Sequence, residues 1–201
     1  MRLFKKYKKE QLKIAYILSR LSEPFLLLTI FGVMILFSQY LGGYNHWLWG
    51  VGLVLFLGVM PLATLWLGVK KVEKIDIDFT KKENRTPFIL IILFYWIMGL
   101  VLGWSLAGPK LILVLLFIGI ILNVLVLVIN LYWKISNHSL ALVTFILFMS
   151  QLFGQAYLWL LITVPLVCWS RWIQKKHSWG QLSGGIGLGI LAWVLLRIFG
   201  Y

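Results

Sequence analysis

An all-α bundle of about seven helices, six at the fewest, crossing a membrane is the fold class that three observations predict. Hydrophobic residues make up 61% of the 201 and charged residues 12%, whereas soluble domains carry about 45–50% and about 25%. The apolar residues come in long runs, at 24–41, 46–69, 87–106, 110–132, 138–153, 155–169 and 179–199, most of them near the ~20 residues that a hydrocarbon core demands of a helix. All the charges except Lys110 and Arg197 fall before or between the runs, and the mean hydropathy reaches +0.93.

Residues 1–22 precede the first run and form a basic amphipathic segment of their own. Lys5, Lys6, Lys8, Lys9 and Lys13 alternate with Leu3, Phe4, Tyr7, Ile14 and Ile17, a pattern suited to a helix lying on an anionic lipid surface. Ser22, Glu23 and Pro24 read as the next helix start, with a capping hydroxyl, an acid at the positive dipole end and proline in the first turn. From there, residues 23–201 read as a single membrane-embedded helical domain. The fifth and sixth runs are shorter and suit tilted or partly re-entrant helices. Asn123 and Asn130, seven residues apart in the fourth run, share a face and suit bonds between helices, while Gly184, Gly185, Gly187 and Gly189 in the last run suit close helix packing.

Seven crossings sort the charges. The net charge is +13, yet all 19 Lys and Arg except Lys110 and Arg197 fall before the first run or between the second and third, fourth and fifth, or sixth and seventh. Those stretches share one side of the membrane, which the positive-inside rule makes cytoplasmic, together with the N-terminus. The basic excess therefore faces lipid head groups, and nucleic acid is not an expected partner. The single cysteine, Cys168, excludes an intramolecular disulfide, and no secretory signal peptide is evident at the N-terminus.

The same parity gathers three junctions on that side: KKENRTPF before the third run, KISNHS before the fifth and SRWIQKKHSWGQ before the seventh. Each falls where a new helix begins, and helix N-termini offer unpaired N–H groups and partial positive charge. Joined by Arg85, Lys134 and Arg171, they predict an anion site, with His138 and His177 in the cluster. Bland uses of the same residues compete. Ser136 and Asn137 suit an N-cap pair, Lys134 a snorkelling side chain, and a basic loop a topology signal.

In order and spacing these residues resemble the three motifs of the type 2 phosphatidic acid phosphatase and vanadium-haloperoxidase superfamily. Arg85, Thr86 and Pro87 stand for the first, Ser136, Asn137, His138 and Ser139 for the second, and Ser170, Arg171 and His177 for the third, across roughly residues 81–185. The third is the specific one. The chain departs from the pattern where Thr86 separates Arg from Pro, where Asp78 stands at the motif's lysine, where Asn137 stands for glycine, and where Gln181 replaces the acid four residues after the histidine. Divergent bacterial members with such a glutamine are similar to it.

The resemblance implies a phosphatase with a lipid phosphate as substrate, phosphatidate or a polyprenyl phosphate or diphosphate, in the cell membrane. His177 would be the nucleophile that forms a phosphohistidine, His138 the acid for the leaving oxygen, and Arg85, Arg171 and Ser136 the phosphate clamp, with Lys82, Lys81 or Lys134 supplying the missing lysine's charge. Gln181 would orient His177. No His, Asp and Glu set has metal-ligand spacing, so neither a metal nor another cofactor is expected. Two other readings stay open: a family member that binds lipid phosphate without turnover, and a small transporter or assembly partner. The sequence does not specify oligomeric state.

Overall fold

The computed structural model of the protein describes residues 2–41, 46–71 and 85–201. Every regular element among them is helical, as the composition predicts. In chain order these are α1 (Arg2–Leu21), α2 (Pro24–Leu36), α3 (His46–Val54), α4 (Met60–Lys71), α5 (Arg85–Ser105), α6 (Lys110–Tyr132), α7 (Asn137–Phe153), α8 (Thr163–Ile173) and α9 (Trp179–Ile198). Six helical stretches are long and apolar enough to cross a bilayer: Lys9–Leu36 over α1 and α2, Trp47–Thr64 over α3 and α4, α5, α6, Gln155–Ile173, and α9. The seventh, α7, is apolar but 17 residues long, the shortness read from the fifth run. These stretches mark a membrane protein.

The chain divides into two compact units, Met1–Leu27 with Lys134–Trp193 and Leu28–Trp133 with Val194–Tyr201. The second is built on the α5–α6 hairpin. The α5 helix ends in a Schellman turn: Ala107, at φ 50°, donates to Trp104 O at 3.0 Å, and Gly108 N to Gly103 O at 2.8 Å. That satisfies the last carbonyls and reverses the chain within four residues. Close approach of α5 and α6 depends on Gly119, where a Cβ would run into the Trp96 ring. Asn130 Nδ2 donates to Thr86 Oγ1 at 3.3 Å, a bond between helices as the pattern predicts. Asn123 does not follow it, bonding Gly119 O on its own helix at 2.9 Å.

Between α3 and α4 the helix widens into one π turn, Leu55–Val59, in which Met60 N reaches back to Leu55 O. Pro61 lies two residues beyond. Its ring has no N–H and would crowd the carbonyl of Leu57 in an α turn, so a wider turn before it accommodates the proline without breaking the helix. Thr64 Oγ1 and Tyr95 OH, 2.8 Å apart, then tie α4 to α5.

The first unit carries the second and third motif segments. Leu27, Leu142, Ile146 and Val167 form its apolar cluster, with Ala141, Phe145 and Val164 packed against them. The α1 helix lies along α8 and presents Ala15 and Ser19, both nearly inaccessible. Small residues at this helical spacing let two backbones approach closely, so the basic amphipathic helix has a buried protein face besides its exposed one. Ser22 also differs from its reading as an N-cap: its hydroxyl donates backwards, to Leu18 O at 2.9 Å and Ser19 O at 3.2 Å, closing α1. The first turn of α2 instead opens on Glu23, whose carbonyl accepts from Leu27 N at 3.1 Å. Beyond α7, Gly154 at φ +116° turns the chain into eight residues of 3-10 helix, Gln155–Ile162, that lead into α8.

Candidate functional site

Two helix caps with one residue between them define the centre of the site. The α8 helix ends in a Schellman turn, with Lys175 N donating to Trp172 O at 2.9 Å, Lys176 N donating to Arg171 O at 3.0 Å, and Lys175 in the left-handed region at φ 56°. Three residues on, α9 opens in a capping box of the form S-x-x-Q. Gln181 N donates to Ser178 Oγ at 3.4 Å, and Gln181 Oε1 accepts from Ser178 N at 3.1 Å. His177 is the single residue between these motifs and is only 5% exposed. The spacing from Arg171 to His177 is thus the length of one reverse turn.

Nδ1 of His177 lies 3.3 Å from Gln181 Oε1. The capping bond fixes which end of the amide is which, because the backbone N–H of Ser178 requires an oxygen acceptor. That same oxygen faces the imidazole, so the hydrogen bond requires a proton on Nδ1. Gln181 therefore contacts His177 and caps α9 with the same atom.

The starts of α7 and α9 are stitched together backbone to backbone. Ser136 N donates to Gln181 O at 3.1 Å, and Ser139 Oγ donates to Leu182 O and to Ser136 O, both at 3.0 Å. Gly185 permits this approach, since a Cβ there would overlap Ser139 Oγ and the Ser136 carbonyl. Gly189 does the same against Val143, whereas Gly187 meets nothing within 4 Å. Close packing therefore accounts for two of these glycines. Ser136 is the N-cap of α7, its side chain accepting from Ser139 N at 3.4 Å.

His138, in the first turn of α7, has its Nε2 3.5 Å from Glu23 Oε2. That is an ion-pair distance; Nε2 is buried and makes no hydrogen bond, and neither does Oδ1 of Asn137 beside it. Glu23 is also 3.5 Å from Arg20 Nη1. Arg171 is 4% exposed, its Nη1 donates to Ser19 Oγ, and its charge acts on both Glu23 and His138. It lies in the last turn of α8, not at a helix start, where its charge complements the negative end of the helix dipole. Gln174 Nε2 adds a second tie to α1 through Ala15 O at 3.0 Å.

Of the residues read from the sequence, Ser136, His138, Arg171, His177 and Gln181 therefore belong to one unit, with Lys134 partly buried at its edge. Arg85 is 8% exposed at the start of α5 in the other unit. Lys81 and Lys82 lie outside the described residues, as do the acids Asp76, Asp78 and Glu83. The sequence reading missed Glu23 and Ser19, because it assigned their segment to membrane binding and to a helix start. It also missed the pair Trp172 and Trp179, whose rings lie 5.8 Å apart across the turn that holds His177. Among the described residues no three His, Cys, Asp or Glu side chains are grouped to hold a metal ion.

What the arrangement offers chemically is an imidazole held through its Nδ1, a second imidazole beside a carboxylate, a buried guanidinium and two helix N-termini. No family model, no curated protein and no solved structure matches the chain.

Proposed function

We propose that the protein is an integral membrane lipid-phosphate phosphatase of the type 2 phosphatidic acid phosphatase superfamily, acting on phosphatidate or on a polyprenyl phosphate or diphosphate. The supporting observation is the Ser136–Gln181 backbone bond of 3.1 Å. It brings together the two motif segments that carry His138 and His177, which 38 intervening residues separate in the sequence.

Phosphoryl transfer proceeds through a loose transition state with charge spread over three equatorial oxygens, so catalysis consists mainly of clamping and alignment. His177 Nε2 attacks phosphorus while the ester P–O bond breaks. The leaving oxygen takes a proton from His138, giving a phosphohistidine and the free alcohol. Water, losing a proton to His138, then cleaves the P–N bond and releases phosphate. Arg171 and the N-terminal amides of α7 stabilise the equatorial charge, as preorganised donors do. With seven crossings, the N-terminus and the motif junctions face the cytoplasm, and the lipid enters sideways with its tail in the bilayer.

A second reading is favoured by Gln181, which leaves His177 without a carboxylate: a protein that holds lipid phosphate and does not turn it over. Phosphate release from a panel of lipid phosphates, measured in chelator on wild type and His177→Ala, separates the two. The expected result is release by wild type and none by the variant. Release that survives in His177→Ala overturns the mechanism, and lipid binding without release selects the binder. Labelling of Lys175→Cys by an impermeant maleimide tests sidedness against a background in which the native Cys168 is buried; reaction in intact cells overturns the cytoplasmic assignment.

A further inference from the structure

The geometry points to Glu23, at the α1–α2 junction, as a positioning residue for the proposed reaction: it holds the His138 ring and stabilises its imidazolium form. This inference rests on the phosphatase reading above. Nε2 of His138 is buried and 3.5 Å from Glu23 Oε2, and the ring has no other anionic neighbour among the charged groups that act on it, which are Glu23, Arg171 and Arg20. Burial, and then two guanidinium groups beside the imidazole, oppose its protonation, and an acid for the leaving oxygen has to carry a proton. Among the described residues, the Glu23 carboxylate is the charge that offsets them.

The junction is held in place from both sides. Ser19 accepts from the buried Arg171, and Gln174 donates to Ala15 O at 3.0 Å, both across the α1–α8 contact. Glu23 follows Ser19 by four residues, just past the end of α1, and Arg20 lies 3.5 Å from its carboxylate. The contact that seats the phosphate-clamping Arg171 therefore also fixes where the Glu23 carboxylate meets His138. In the reaction the imidazolium keeps its Nε2 proton facing Glu23 and passes the Nδ1 proton to the leaving oxygen, and the carboxylate stays ionised throughout. Glu23 thus plays towards His138 the part that Gln181 plays towards His177, with a charge where Gln181 has a dipole. An acid positions the acid, and an amide positions the nucleophile.

The test is Glu23→Gln in the full-length protein in detergent, with Glu23→Asp as the second variant and monodisperse elution as the check on folding. Histidine-selective NMR titration, with His138 assigned by loss of its signal in His138→Gln, reads the pairing whether or not the protein turns over. The His138 midpoint is expected at lower pH in Glu23→Gln than in wild type, with Glu23→Asp between them. In active protein, the pH profile of phosphate release shifts the same way and kcat falls about 10- to 100-fold, part of the ~10²–10⁴-fold that a general acid contributes, while KM changes little. An unmoved His138 midpoint in a folded variant overturns the inference. A moved midpoint in wild-type protein that releases no phosphate leaves the pairing standing and overturns the phosphatase reading on which its catalytic meaning rests.

Discussion

Ser178 and Gln181 cap one another: the backbone N–H of the serine donates to the glutamine side chain at 3.1 Å, and the backbone N–H of the glutamine lies 3.4 Å from the serine hydroxyl. This reciprocity gives the amide at position 181 a structural duty besides its contact with His177. It also bears on what the missing carboxylate costs. In serine proteases, exchanging the triad aspartate for its amide lowers turnover about 10⁴-fold because the wrong tautomer is held. Here the capping bond points the amide oxygen at the ring, which favours the proton on Nδ1.

Gln181→Glu is expected to preserve both caps and raise phosphate release by roughly tenfold, the equivalent of ~1.4 kcal/mol in the barrier, because a carboxylate stabilises the charge that develops on His177. Gln181→Ala removes the box, lowers stability by about 1 kcal/mol and lowers release. Parallel thermal unfolding and phosphate assays check both. Equal rates in Gln181→Glu and Gln181→Ala would show that position 181 acts on the helix alone.

Gly185→Val is expected to separate α7 from α9. A Cβ already overlaps the Ser139 hydroxyl and the Ser136 carbonyl, and overpacking a tight contact costs about 1–3 kcal/mol. The measurement is the unfolding midpoint in detergent, with Gly187→Val as the comparison, since a Cβ at Gly187 meets nothing within 4 Å. The midpoint should fall for the first and hold for the second.

Lys175→Gly is expected to stabilise the protein. Lys175 occupies the C′ position of the α8 Schellman turn at φ 56°, a conformation that costs an L-residue about 1–2 kcal/mol and glycine nothing. Part of that gain is returned through the greater freedom of glycine in the unfolded chain, so a net rise in the unfolding midpoint of a few degrees is the expected outcome. A fall would show that the lysine side chain itself holds the turn.

Much of this architecture is legible in the sequence, because bilayer thickness and loop charge act on composition directly. The apolar runs mark the helices, and the glycines of α9 announce a close contact. The order of Arg171, His177 and Gln181 is legible too, because it lies within one turn and its caps. What the sequence does not reveal is contact over long separation. Glu23 and His138 are joined by no periodicity, and Ser19 looks like one more polar residue on a basic helix until α8 is set beside it. The charge run misleads as well: it describes the outward face of α1 correctly and conceals the inward one. Asn123 shows the same limit at short range, because an amide on a helix can turn to its own backbone as readily as to a neighbour.

The contact of α1 with α8 spans 152 residues from Ser19 to Arg171 and 159 from Ala15 to Gln174. Helix α1 therefore waits for a partner made about 150 residues later. Its lysines suit that delay, since a basic amphipathic helix has a resting place on anionic lipid while the rest of the chain inserts. Assembly order is thereby coupled to the surroundings of the histidines: Arg171 and His138 acquire their α1-side neighbours when this late docking closes, so a half-made chain carries both side chains without those contacts.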